Sequence, residues 1–163
     1  MTPEQRLAEL GIALPASSGP AGNYAAAART GNLLFLSGKS PLAVHGVKPR
    51  GRLGQEFSAD DGYQLARSAC LDLLATVRAT LGSLDSVVRI VELHGSLNTT
   101  PDFEDHARVL DGASDLLVEV FGPAGLHARS VIGAVSLRSG VPLTVKATIE
   151  CRPERGGQGS PSQ

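Results

Sequence analysis

Residues 141–152 alternate strictly. Val141, Leu143, Val145, Ala147, Ile149 and Cys151 occupy one set of positions, and Thr144, Lys146, Thr148, Glu150 and Arg152 fall between them. A period of two puts these sets on opposite faces of a β-strand. One face is therefore expected to cover helices, and the other to meet water or another subunit. Residues 87–97 repeat the pattern, with Val91 and Leu93 opposite Glu92 and His94, and 129–138 read as a third long strand. Two short strands, 24–29 and 33–37, are expected on either side of the turn-like pair Gly31-Asn32.

Elsewhere the apolar spacing becomes helical. Leu65, Ala66, Ala69, Cys70, Leu73, Leu74, Val77 and Leu81 form one stripe. Ser58 offers a cap, Asp60 and Asp61 suit the positive end of the helix dipole, and Gly82 can end the helix. A second stripe, Phe103, Ala107, Leu110, Ala113, Leu117 and Val120, is expected to begin near Thr100-Pro101 and to stop at Gly122-Pro123. Gly112 inside it costs about 1 kcal/mol relative to alanine in intrinsic propensity. A short helix is predicted over 3–10, closed by Gly11, and a loop over 15–22. The long connection 39–55 reads either as a functional or interface loop or as disorder. The order strand, strand, helix, strand, helix, strand, strand implies an α+β sandwich, a sheet with two long helices on one face. The chain divides into an N-terminal helical extension (1–14), one domain (15–152) and a tail rich in Gly, Ser, Pro and Gln (153–163) expected to be disordered.

Composition narrows function more than fold. Fifteen basic against sixteen acidic residues leave a net charge of −1, so no global field favours nucleic acid or a membrane surface. Aromatics are 4% and tryptophan is absent, which leaves few platforms on which bases could stack. Cys70 and Cys151 lie far apart in apolar patterns and read as buried free thiols of a reducing compartment. Four scattered histidines show no metal-ligand spacing, and neither a metal nor a cofactor is expected. With no leader-like or membrane-length apolar run, the expected location is the cytoplasm.

The candidate chemistry gathers around Arg129. A guanidinium at the start of an apolar strand faces water, pairs with an anion or sits in a subunit interface. Its planar fork of donors matches a carboxylate in two bonds. Tyr24 reads equally as a ligand wall or as a half-buried aromatic. Lys146 is a second anion contact, or else a partner for an acid such as Glu92. His127, just before the Arg129 strand, could reach a cleft mouth or be structural.

Four short motifs then fall in order: Ala21-Gly22-Asn23-Tyr24, Leu34-Phe35-Leu36-Ser37-Gly38-Lys39, Pro101-Asp102-Phe103 and His127-Ala128-Arg129-Ser130. Over about residues 19–151 the chain resembles the Rid/YjgF superfamily of reactive-intermediate deaminases, also labelled L-PSP endoribonuclease-like. Asp111–Gly122 further resembles a divergent Rid-like subgroup, with Asp111 where that subgroup has asparagine. The resemblance implies a chorismate-mutase-like fold and a homotrimer with ligand clefts between subunits. It implies Arg129 as the carboxylate clamp, Tyr24 beside the ligand, and backbone groups near Arg129 and Ser130 helping to place an attacking water. The implied reaction is hydrolysis of a small imine or enamine acid to a keto acid and ammonia. The family glutamate that places the water corresponds to Thr144 here, and a second acid corresponds to Lys146. A common cysteine becomes Val131, and the usual Ser-Gly-Gln becomes Ser-Gly-Lys at Lys39. Threonine can hold a water but has no useful pKa for base work near neutrality. A non-catalytic binding or sensing trimer is therefore the alternative expectation. Endoribonuclease action, which only the shared label suggests, is the third.

Overall fold

The structure, a computed structural model, describes residues 1–156. Helix α1 (Pro3–Glu9) starts on a Thr2 capping box and buries Leu7. Strands β1 (Ala27–Thr30) and β2 (Leu33–Leu36) form a hairpin. Helix α2 (Ala59–Leu81) begins on Ser58, whose hydroxyl accepts from Asp61 N–H while the Asp61 carboxylate accepts from Ser58 N–H. Two otherwise unpartnered donors are thereby satisfied. Gly82 ends α2 in the left-handed region at φ 84°. Strand β3 (Val87–Asn98), helix α3 (His106–Phe121), strand β4 (Ala128–Ala134) and strand β5 (Leu143–Cys151) follow.

The five strands form one mixed sheet in the order β1-β2-β5-β3-β4. Only β3 and β4, joined through α3, run parallel. Both long helices lie on one sheet face, as the alternation of β5 requires: Leu143, Val145, Ala147, Ile149 and Cys151 are all buried. Each fully buried leucine, such as Leu73, Leu74, Leu93 or Leu110, contributes about 1.5–3 kcal/mol. Gly112 lies where α3 passes closely against α2. A Cβ there would stand 1.9 Å from the Tyr63 carbonyl oxygen.

The structure corrects several boundaries. Helix α3 starts at His106 rather than near Thr100, because Thr99 and Thr100 pair with Leu53 instead. Thr100 N–H donates to Leu53 O and Phe103 N–H to Thr100 O, so a turn consumes the predicted first helical residues. Strand β1 begins at Ala27, three residues beyond Tyr24. Strand β4 stops at Ala134, not 138, because a 3-10 turn, Arg138–Gly140, reverses the chain toward β5. The connection 39–55 is ordered, not disordered. Lys39 and Val145 exchange backbone hydrogen bonds, and Leu53 is fully buried. Residues 153–156 are exposed and without regular structure, while the remainder of the expected tail, 157–163, lies outside the described residues.

Candidate functional site

Arg129 and His127 lie at the edge of the sheet, on its helix side. Arg129 is in register with Leu93, a core residue under the helices, but β4 is the outermost strand, so its side chain reaches over the flank of α3. There Nη1 stands 2.8 Å from Asp111 Oδ1 and donates to Ser114 Oγ at 3.0 Å, and Nη2 donates to Ala107 O at 3.3 Å. Ser114 also meets His127 Nε2 at 2.9 Å, and His127 Nδ1 is 2.6 Å from Gly125 O. A carbonyl can only accept, so Nδ1 carries the proton; in the neutral ring Nε2 then accepts from the Ser114 hydroxyl. The guanidinium is thus oriented by its own chain, with Nε unpartnered among the described residues.

Ser130 and Lys146 occupy the opposite, open face. His94 joins them: its Nδ1 is 2.7 Å from Ser130 Oγ, and it is in register with Lys146 on β5. Phe35, Glu92, His94, Lys146 and Thr148 line a shallow depression of about 340 Å³. Lys146 makes no ion pair with Glu92 or any other acid among the described residues. Phe35 and Ile132 on the same face are about half exposed, at 45% and 54%. Large apolar side chains interleaved with polar ones on an uncovered sheet are what an interface between chains would bury.

Tyr24, three residues before the opposite edge strand β1, stands on the wall of a second cleft of about 300 Å³ lined also by Ser37, Gly38, Lys39, Lys48 and Arg138. Its hydroxyl oxygen accepts from Ala21 N–H at 3.1 Å, which leaves its own proton to donate. Thr144 is not part of this cleft's lining: it shares the open face of β5 with Lys146 and is in register with Ser96, whose hydroxyl lies 3.3 Å from His94 Nε2. Lys39 and Asp72 are almost wholly buried in the cleft, at 6% and 1% exposure. Lys39 Nζ donates to Ser18 O and Oγ, both at 2.9 Å, and lies 4.0 Å from Asp72 Oδ1. The Ser18 hydroxyl donates to Asp72 Oδ2 at 2.6 Å. These charges compensate one another, as burial demands.

The predicted site residues therefore occupy three places: Arg129 with His127 on the helix side, Ser130, Lys146 and Thr144 on the open face, and Tyr24 in the second cleft. Four inter-strand steps of about 4.8 Å separate β1 from β4, roughly 19 Å. Among the described residues Tyr24 and Arg129 share neither a cleft nor a hydrogen-bond partner. Sequence reading missed Ser114 and the pairing role of Asp111. The available signal was their polar character three positions apart, a spacing that puts both on one flank of the helix. It also missed Lys48, Arg138 and the Lys39–Ser18–Asp72 network, whose members are far apart along the chain and carry no spacing signal. Cys70 offers no nucleophile: burial pushes its thiol up to about 12, against a smaller opposing effect from Arg67.

Comparison with known proteins agrees with this architecture. The family model described as "YjgF/chorismate_mutase-like, putative endoribonuclease" matches residues 4–143. Protein TCP17 of Trypanosoma cruzi is 38% identical over 145 residues, 88% of this chain and 91% of that protein. A crystal structure titled a putative endoribonuclease from Shewanella oneidensis is 33% identical, covering 92% of this chain and 99% of its own, with a TM-score of 0.88. The protein Atu1372 of Agrobacterium tumefaciens, of unknown function, is 32% identical over 92% of each chain, with a TM-score of 0.83. With the mixed sheet, the two helices and the four ordered motifs already in place, these matches show that the chain belongs to the YjgF family of Rid and L-PSP endoribonuclease-like proteins.

Proposed function

We propose that this protein binds a small carboxylate-bearing imine or enamine in a cleft shared between copies of the chain, and hydrolyses it to a keto acid and ammonia. Tyr24 comes from one copy, and Arg129 from the edge strand of the next. The observation carrying this reading is that Arg129 lies on edge strand β4 while Tyr24, just before the opposite edge strand β1, lines a different cleft, each outside the core and each with donors left to offer. The open face, with exposed Phe35 and Ile132, supplies the contact surface of a homotrimer. Within the cleft Arg129 fixes the carboxylate, Tyr24 donates a hydrogen bond, and the Thr144 hydroxyl holds the water that adds to the C=N carbon.

Purified protein supplied with 2-aminoacrylate generated in situ is expected to accelerate keto-acid release. Arg129→Ala should lose at least about tenfold of that acceleration, the scale of one charge-assisted contact. No acceleration by the wild type, or equal rates from both proteins, overturns hydrolysis.

One observation favours a second reading, binding without turnover. Neither Thr144 nor Lys146 is an acid, the Asp111 carboxylate beside Arg129 is tied up in the ion pair, and His127, which shares Ser114 with Arg129, already accepts from that hydroxyl. Calorimetry showing that 2-oxobutyrate or pyruvate binds without turnover of the imine would select it. RNA cleavage by a histidine pair is not adopted, since His94 and His127 stand on opposite faces of the sheet.

A further inference from the structure

The Tyr24 cleft holds more positive charge than a single carboxylate requires. Its charged lining is Lys39, Lys48, Asp72 and Arg138. Lys39 and Asp72 are buried, and Ser18 and their mutual proximity hold them as a compensated pair. Lys48 is anchored but not neutralised: its Nζ donates to Pro41 O at 2.8 Å and to Ser40 Oγ at 3.3 Å, both uncharged. The Arg138 guanidinium has neither a hydrogen bond nor an acidic partner among the described residues. The cleft wall therefore presents two uncompensated cations in addition to whatever Arg129 brings from a neighbouring copy.

The backbone next to Arg138 is unusual as well. Ser139 adopts φ 57°, ψ 18°, and Gly140 follows at φ 66°. A non-glycine residue in the left-handed region is disfavoured by about 1 kcal/mol, and such outliers persist where the surroundings fix them. Here the strained turn is the one that reverses β4 into β5 and sets Arg138 on the cleft wall.

We propose that the cleft selects a doubly anionic small acid, whose second anionic group is held by Lys48 and Arg138. This rests on the reading that the cleft binds a small carboxylate at all. A monoacid leaves the two cations without a partner, whereas a dicarboxylate or a phosphate-bearing acid satisfies them through charge-assisted hydrogen bonds. Both cations are solvent-accessible, so the preference is moderate and weakens as salt rises.

Calorimetry on the full chain would compare 2-oxobutyrate, 2-oxoglutarate and 3-phosphoglycerate, with Lys48→Met and Arg138→Met as variants. At least one dianion is expected to bind about tenfold more tightly than 2-oxobutyrate, and the tighter of the two identifies the second group as carboxylate or phosphate. Each substitution should lower dianion affinity about five- to tenfold while changing 2-oxobutyrate affinity less than about twofold. Equal affinity for mono- and dianions, or equal losses for both in the variants, overturns this selectivity and leaves the carboxylate cleft standing. If none of the three acids binds, both the selectivity and the cleft itself are overturned.

Discussion

Asp111 decides how much of Arg129 is available to a ligand. The ion pair at 2.8 Å compensates the guanidinium charge, yet Asp111 is half exposed, so the pairing is worth about 1 kcal/mol or less. A ligand carboxylate competes with it at modest cost. Asp111→Asn keeps a side chain of the same shape and removes the competitor. It is therefore expected to tighten 2-oxobutyrate binding about three- to fivefold by calorimetry, while Ser114 and Ala107 continue to orient the arginine. Unchanged or weaker binding would show that Arg129 is a structural tie between β4 and α3. Arg129 as the odd charge of an apolar strand was legible in the sequence. Its tether was not, because Asp111 and Ser114 meet it only after β3 and β4 pair in parallel and α3 crosses them.

At the scale of elements, Gly112 sets intrinsic propensity against packing. Alanine would gain about 1 kcal/mol of helix propensity. Its Cβ would meet the Tyr63 carbonyl oxygen at 1.9 Å, and backbone cannot move aside as a flexible side chain would. Packing should win: Gly112→Ala is expected to destabilise the protein by about 2–3 kcal/mol in urea unfolding, and a neutral or stabilising result would mean that the helices do not cross this closely. The sequence shows the helix stripes but not which glycine lies at their crossing. Helix α2 was legible from end to end because Ser58 and Gly82 signal locally. The start of α3 was not, since the Thr100-Pro101 signal lost to pairing with Leu53, a residue 47 positions away from Thr100.

Helix α1 is fastened electrostatically. Burial alone would raise the Glu4 pKa, but hydrogen bonds from Arg78 and Leu84 N–H and the Arg78 charge hold it below the ordinary 4.5. A group whose folded pKa is depressed stabilises the fold above its unfolded value and loses that contribution as pH falls through the folded one. Glu4→Gln should cost about 1 kcal/mol or less near pH 7, with the gap from wild type closing as urea midpoints are followed below about pH 4.5. A gap that persists to pH 3 would contradict this account.

At the scale of the whole molecule, the proposed site is shared between copies of the chain. Arg129 lies on edge strand β4 and Tyr24 just before the opposite edge strand β1, and the open face of the sheet carries exposed Phe35 and Ile132 beside His94 and Lys146. The polar alternation of β5 made this face legible in the sequence as one that meets water or another subunit. Which residues lie across it depends on a second copy. Subunit mixing tests this directly. Tyr24→Ala and Arg129→Ala variants, each expected to bind 2-oxobutyrate at least about tenfold more weakly than wild type, are combined, exchanged through mild denaturant and checked by native mass spectrometry for mixed oligomers. Mixed oligomers are predicted to regain wild-type affinity at a fraction of their sites, because some clefts then receive an intact Tyr24 from one copy and an intact Arg129 from the next. Verified mixing with no recovered binding would contradict the shared cleft.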